Sequence, residues 1–141
     1  MKYVIAFIFL SFVGLSTHAQ MQEVSDKQVK FVNTFLEVVH THNRKKVIKM
    51  MDKKYRKEQI AFLKGNTEQF VNELFSGEDL LTGDYINIKF ANILKIEVAE
   101  VIALKEGGFT YIFRIRDGEH DILSSLFLVA TGKFGFVGAV G

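Results

Sequence analysis

The chain has 141 residues, 48% hydrophobic and 24% charged, which suits one globular domain rather than a disordered segment or a multi-span membrane protein. It contains no cysteine, which excludes a disulfide framework, a thiolate metal site and a cysteine nucleophile. A net charge of +2 is too close to neutral to call for nucleic acid or any other polyanion as a partner of the whole chain.

Met1-Lys2 precede an apolar run, Val4–Leu15, interrupted only by Ser11 and Gly14. The run is shorter than the roughly 20 residues of a spanning helix, and small residues follow at Thr17 and Ala19. This pattern predicts a signal peptide over residues 1–19, cleaved after Ala19, and an exported protein, periplasmic or secreted from a bacterium. No cysteine follows for lipid attachment. Residues 20–141 are expected to form a single domain.

Ser25-Asp26-Lys27-Gln28 has capping-box spacing, with Asp26 favoured by the dipole of the first turn. Phe31, Val32, Phe35, Leu36 and Val39 continue at helical spacing, so a first helix runs to about Thr41. Arg44–Lys64 reads as one further helix, with Val47, Met51 and Tyr55 at steps of four and Asp52-Lys53-Lys54 weakening its middle. Gln59 falls on the same line and needs a polar partner if buried. Gly65 then breaks the helix, and Asn66 with Gln69 forms a second capping box. Phe70, Val71, Leu74 and Phe75 make a third helix, which Ser76-Gly77 closes.

Glu78–Gly83 reads as a polar loop, after which the period changes to two. Ile86, Ile88 and Phe90 alternate with polar residues. Ile93–Leu104 is a longer strand whose phase slips near Ala99-Glu100, as a β-bulge would make it. Turns are expected at Gly107-Gly108 and Asp117-Gly118, on either side of Phe109–Arg116. His120–Thr131 and a last segment with Phe134, Phe136 and Val140 complete the count. The expected fold is α+β: three N-terminal helices on a curved, cone-like, five-stranded antiparallel sheet.

This layout resembles the nuclear transport factor two-like (cystatin-like) superfamily. The resemblance rests on the Ser25–Thr41 helix, the capped corner at Gly65-Asn66 and the two glycine turns. It implies a sheet wrapped around the first helix with a cavity between them. The short strand pair that many members place before the last helix is not evident. Members include dehydratases, isomerases, hydrolases and non-catalytic binding domains, so the resemblance leaves function open.

Few residues carry recognisable chemistry. On a helix His40 and His42 would point roughly 200° apart, and no third ligand is tied to them, so no metal is expected; no cofactor is expected either. Arg114 and Arg116 share a strand face and could clamp a carboxylate or phosphate, or else make ordinary cross-strand ion pairs. Tyr111 and His120 are the acid–base candidates if the protein is an enzyme, although His120 and Asp121 should point to opposite sheet faces. Tyr85, Tyr111 and Ser124-Ser125 could place hydroxyls in a cavity. Against catalysis, Ile86, Ile88, Phe90, Leu94, Ile96 and Val98 leave no titratable residue on their parity.

The first reading is therefore a non-catalytic domain that binds a small molecule or a protein in a cleft lined by Phe70, Phe113 and Phe136. A dehydratase- or isomerase-like enzyme is the second. The third is attachment to anionic envelope surfaces through Lys45, Lys46, Lys49 and Lys53. No membrane span and no nucleic acid are expected. The outer sheet face offers a surface for a homodimer, since Ile112 and Ile122–Val129 place apolar residues on both parities.

Overall fold

The structure is a computed structural model that describes residues 23–130 and 132–138. The expected leader, its cleavage point and Val140 lie outside the described residues. Within them the chain is α+β, with four helices and one antiparallel sheet.

Helix α1 spans Asp26–His40, and the Ser25 hydroxyl caps it by accepting the Gln28 N–H at 3.1 Å. Its Val32, Phe35, Leu36 and Val39 are fully buried, as the helical spacing requires. The two histidines at its exit tie helix to sheet. His40 Nδ1 lies 2.8 Å from the Leu36 carbonyl, and its Nε2 accepts the Ile96 N–H at 3.3 Å, which fixes one neutral tautomer. His42 Nε2 donates to the Ile93 carbonyl at 2.8 Å.

The single helix expected over Arg44–Lys64 is two: α2, Arg44–Met50, and α3, Lys53–Phe62. Met51 is extended and forms a parallel bridge with Phe136, while the Asp52 N–H donates to the Phe136 carbonyl at 2.7 Å. The Asp52 carboxylate then caps α3 by accepting the Tyr55 N–H at 3.1 Å. The helical period is continuous across this point, but bonding to the last strand wins over it.

The helical run ends at Leu63, where Lys64 (φ +56°) and Gly65 (φ +81°) both turn left-handed, and Asn66 caps α4, Thr67–Glu73, by accepting the Gln69 N–H at 3.0 Å. The Gln69 side chain does not reach back as a capping box would; it donates to Glu73 Oε1 at 2.9 Å. The helix also stops short of Gly77. Ser76–Asp79 is strand β1, which forms a hairpin with β2, Tyr85–Asn87, in place of the expected loop. Buried Asp79 makes that turn by accepting the Leu81 and Thr82 N–H groups at 2.8 and 3.0 Å.

After a 3₁₀ turn at Phe90–Asn92 come β3 (Lys95–Ala103), β4 (Phe109–Arg116), β5 (Asp121–Val129) and β6 (Gly135–Gly138). The sheet thus has six strands rather than five, and the register shift between Val98 and Glu100 is the expected bulge. Along one edge β5 pairs with β4 from Asp121 to Leu128. Its other edge is shared, with β1 at Ile122-Leu123 and β6 from Leu126 to Val129. Ser124 and Ser125 fall between these two partners.

Alternation decides the core. Phe109, Tyr111, Phe113 and Ile115 of β4 and Ile122, Leu126 and Leu128 of β5 are buried against the helices. One polar pair spans this interior: Gln28 Nε2 of α1 donates to the Tyr111 hydroxyl at 2.7 Å. Tyr111→Phe removes the acceptor and strands a buried amide, so a loss of about 1–3 kcal/mol is expected in urea unfolding. A change below about 0.5 kcal/mol would show that water satisfies Gln28 instead.

Candidate functional site

The interruption along β5 leaves a concavity of about 270 Å³. Its walls come from six elements: Tyr55 and Gln59 of α3, Glu73 at the end of α4, Ser76 of β1, Tyr85 of β2, Ser124-Ser125 of β5, and Gly138 of β6. Ser76 lies there because α4 ends at Glu73 and the chain turns directly into β1. Tyr55 lies there because the break at Asp52 re-aims α3.

The polar groups fall into two sets. Some are committed: the Ser124 hydroxyl donates to the Leu74 carbonyl at 3.2 Å, Ser76 Oγ accepts from Asn87, and Glu73 Oε1 holds Gln69. Others have no side-chain hydrogen bond among the described residues: the Gln59 amide and the Tyr85 and Ser125 hydroxyls. Gln59, the polar residue on an apolar helix line, therefore faces the cleft and not the core.

Burial pushes the Tyr55 phenol above its ordinary pKa; a backbone hydrogen bond from Gly138 opposes this, and the Glu73 carboxylate adds to it. The phenol is thus a neutral hydroxyl at physiological pH. A Cβ on Gly138 would meet the Tyr55 hydroxyl and lie 3.2 Å from Cζ, so only glycine lets strand and ring approach this closely. No histidine lines the cleft, and the Ser124 proton points at a carbonyl rather than a base. The arrangement offers hydrogen-bonding groups, one carboxylate and two aromatic rings.

The aromatic residues expected to line a cleft lie elsewhere. Phe70, Phe113 and Phe136 are at most 2% exposed, and Phe136 packs against Phe35 with ring centroids 4.7 Å apart. They fill the space between helices and sheet. Sequence parity places them inward correctly but does not say whether the interior is empty. Tyr85 and Ser124-Ser125 do reach a concavity, at the sheet edge. Tyr55 and Glu73 were not anticipated; the one available signal was that Tyr55 and Gln59 stand four apart on one helix.

Arg114 and Arg116 are held by neighbouring carboxylates. Arg114 Nε and Nη2 donate to the two oxygens of Asp121 at 2.8 and 2.6 Å, and Arg116 Nη2 lies 3.4 Å from Glu97 Oε1. Arg116 Nε is buried without a hydrogen bond and 3.8 Å from Asp121. Of the two readings, the cross-strand ion pairs, spanning β3, β4 and β5, are the ones present, and no open clamp remains.

The acid–base candidates do not meet. Tyr111 is enclosed, and burial pushes its phenol up to about 12 against the pull of Gln28, which takes it out of proton transfer near neutrality. His120 sits in the β4–β5 turn, where Nδ1 lies 3.1 Å from Asp117 Oδ2; its partner is Asp117, not Asp121. That hydrogen bond raises the His120 pKa. Burial pushes Asp117 up, but the His120 side chain and the backbone N–H groups of His120 and Glu119 outweigh it, and its carboxyl ends below the ordinary range.

The sign of the pH effect follows. A raised histidine stabilises fully below about 6.5 and loses its contribution as pH rises through the folded-state value. A lowered aspartate stabilises above about 3.9 and loses its contribution as pH falls through its folded-state value. The turn is therefore held best from about pH 4 to 6.5. In an NMR titration, Asp117→Asn is expected to lower the His120 midpoint; an unmoved midpoint would remove Asp117 as the cause.

Of the basic residues, Lys45 is exposed, while Lys46 and Lys49 flank a groove of about 440 Å³ between α1 and α2 over Val38 and Met50. No three His, Asp or Glu side chains are grouped to hold a metal ion, and no helix is long and apolar enough to cross a membrane, among the described residues. Comparison with protein-family models, curated proteins and solved structures finds no match.

Proposed function

We propose that this chain is an exported, non-catalytic binding domain that takes a small polar ligand in the cleft at the interrupted edge of β5. The observation that carries this reading is the set of unpartnered polar groups, the Gln59 amide and the Tyr85 and Ser125 hydroxyls, around the carboxylate of Glu73. Neutral donors and acceptors with two aromatic rings favour a hydroxyl-rich ligand, and one carboxylate with no cation among the cleft's lining residues favours a ligand bearing an amine. Helices packed on an antiparallel sheet with a bulged strand support kinship with nuclear transport factor two-like domains and a cone-like interior. In this chain the interior is filled by Phe35, Tyr111, Phe113 and Phe136, which moves the proposed site to the rim.

The test is an amide NMR screen with a hexose, an aminohexose and a linear diamine. At least one is expected to shift the amides of Tyr55, Gln59 and Ser125 in a saturable way. Glu73→Gln should weaken the amine-bearing probes by about tenfold and leave the hexose nearly unchanged. Shifts that map away from this cleft, or none at all, would remove it as the binding site.

A further inference from the structure

We infer that a second, separate site binds an oxyanion of the phosphate or sulfate kind in the hollow formed where the second and third helices part. The hollow has a volume of about 210 Å³, and its walls carry Lys49 of α2, Lys53 and Arg56 of α3, and Lys133 from the turn before β6. The only acid among its lining residues is Asp52. Four cations against one carboxylate leave a local excess of three positive charges in a protein that is nearly neutral overall.

These cations are not balanced elsewhere. None of the four has a carboxylate within 4.0 Å among the described residues. Arg56 uses Nη1 on the Ile48 carbonyl at 3.2 Å, which anchors the guanidinium and leaves its other donors for a ligand. The break at Met51-Asp52 creates the hollow. In one continuous helix Lys49 and Lys53 would stand side by side on a solvated face; here they belong to two helices, and the turn before β6 brings Lys133 against them. Like charges held together in a concave wall repel each other and concentrate positive potential, and a bound anion relieves both effects.

The first turn of α3 adds its own donors and positive dipole end, although the Tyr55 N–H is already taken by Asp52. The hollow shares no lining residue with the cleft at Glu73, so either site can fail without the other. The recognised chemistry is a doubly charged tetrahedral oxyanion, either free in solution or carried on a lipid headgroup. Lys45 and Lys46 take no part.

Amide NMR titration with inorganic phosphate and pyrophosphate at low ionic strength tests the site, followed by sedimentation with phosphatidylcholine vesicles with and without phosphatidic acid. Saturable shifts are expected around Lys49–Arg56 and Lys133. The double variant Lys53→Gln/Lys133→Gln should weaken binding by about tenfold or more, and Asp52→Asn, which keeps a good helix cap, should tighten it. Opposite responses to the two changes separate charge recognition from loss of structure. Binding of free phosphate identifies a soluble anion, and binding of phosphatidic acid vesicles alone identifies a headgroup; either supports the site if the double variant abolishes it. No saturable response to either probe, or an equal loss in Lys45→Gln/Lys46→Gln, overturns it.

Discussion

Phe136→Ala is expected to destabilise the protein by about 3–5 kcal/mol, a large fraction of the roughly 5–15 kcal/mol that holds a domain folded. The ring is fully buried and stands within 6 Å, centroid to centroid, of four others: Phe35 at 4.7 Å, Phe31 at 5.6 Å, and Tyr111 and Phe113 at 5.9 Å. Because Phe136 is held on a strand that also fixes Asp52 and Met51, the neighbours cannot collapse freely into the space, so a cavity term adds to the lost transfer energy. Urea unfolding should show a lower midpoint at unchanged slope. Phe134→Ala, in which the ring is only half-buried, should lose clearly less. If Phe136 instead lined an open ligand cleft, its truncation would change stability by less than about 1 kcal/mol, and that result would overturn its placement in the core.

Most of this fold can be read from local patterns, because local patterns decide most of it. Ser25 and Asn66 cap helices where their side chains reach the N–H three residues on, and no distant contact competes with them. The bulge near Glu100 and the two glycine turns are equally local. What escapes is decided at long range. Met51 has a helical neighbourhood and is extended only because Phe136 pairs with it. Ser76-Gly77 looks like a helix stop and is a strand because Asn87 and Ile86 pair with it. For the same reason the cleft was legible only in its parts. Gln59, Tyr85 and Ser124-Ser125 stand out individually as polar groups, but their convergence depends on β5 changing partners at Ser124, which no spacing records. The histidines at the end of α1 show the same limit. Their chemistry suits a helix exit, while their actual role is to bond Ile93 and Ile96 across the chain.

Gly77→Ala should be the most disruptive glycine-to-alanine change among the described residues. A Cβ at Gly77 would fall on the Leu123 carbonyl oxygen, 2.6 Å from the Leu123 carbonyl carbon and 3.1 Å from the Ser124 nitrogen. All three are backbone atoms of β5, which is bonded to β4 from Asp121 to Leu128 and cannot yield. Strand β1 must move instead. It then gives up its pairing at Leu123 and Ile122, the Leu80 N–H bond to the Asp121 carbonyl at 2.8 Å, and the turn that Asp79 holds. The expected loss is about 3 kcal/mol or more, the upper end for overpacking, because the clash is with main chain and not with a side chain that can rotate away. The damage should be local. Hydrogen exchange should show Asp79, Leu80 and Ile88 losing protection while the amides between β3 and β4 keep theirs. Ligand shifts at Ser125 should vanish with them, since Ser76 and Tyr85 leave the cleft with the hairpin. An alanine variant that melts like the parent, with β1 still protected, would mean that β1 does not lie this close to β5, and the cleft wall built on it would go too.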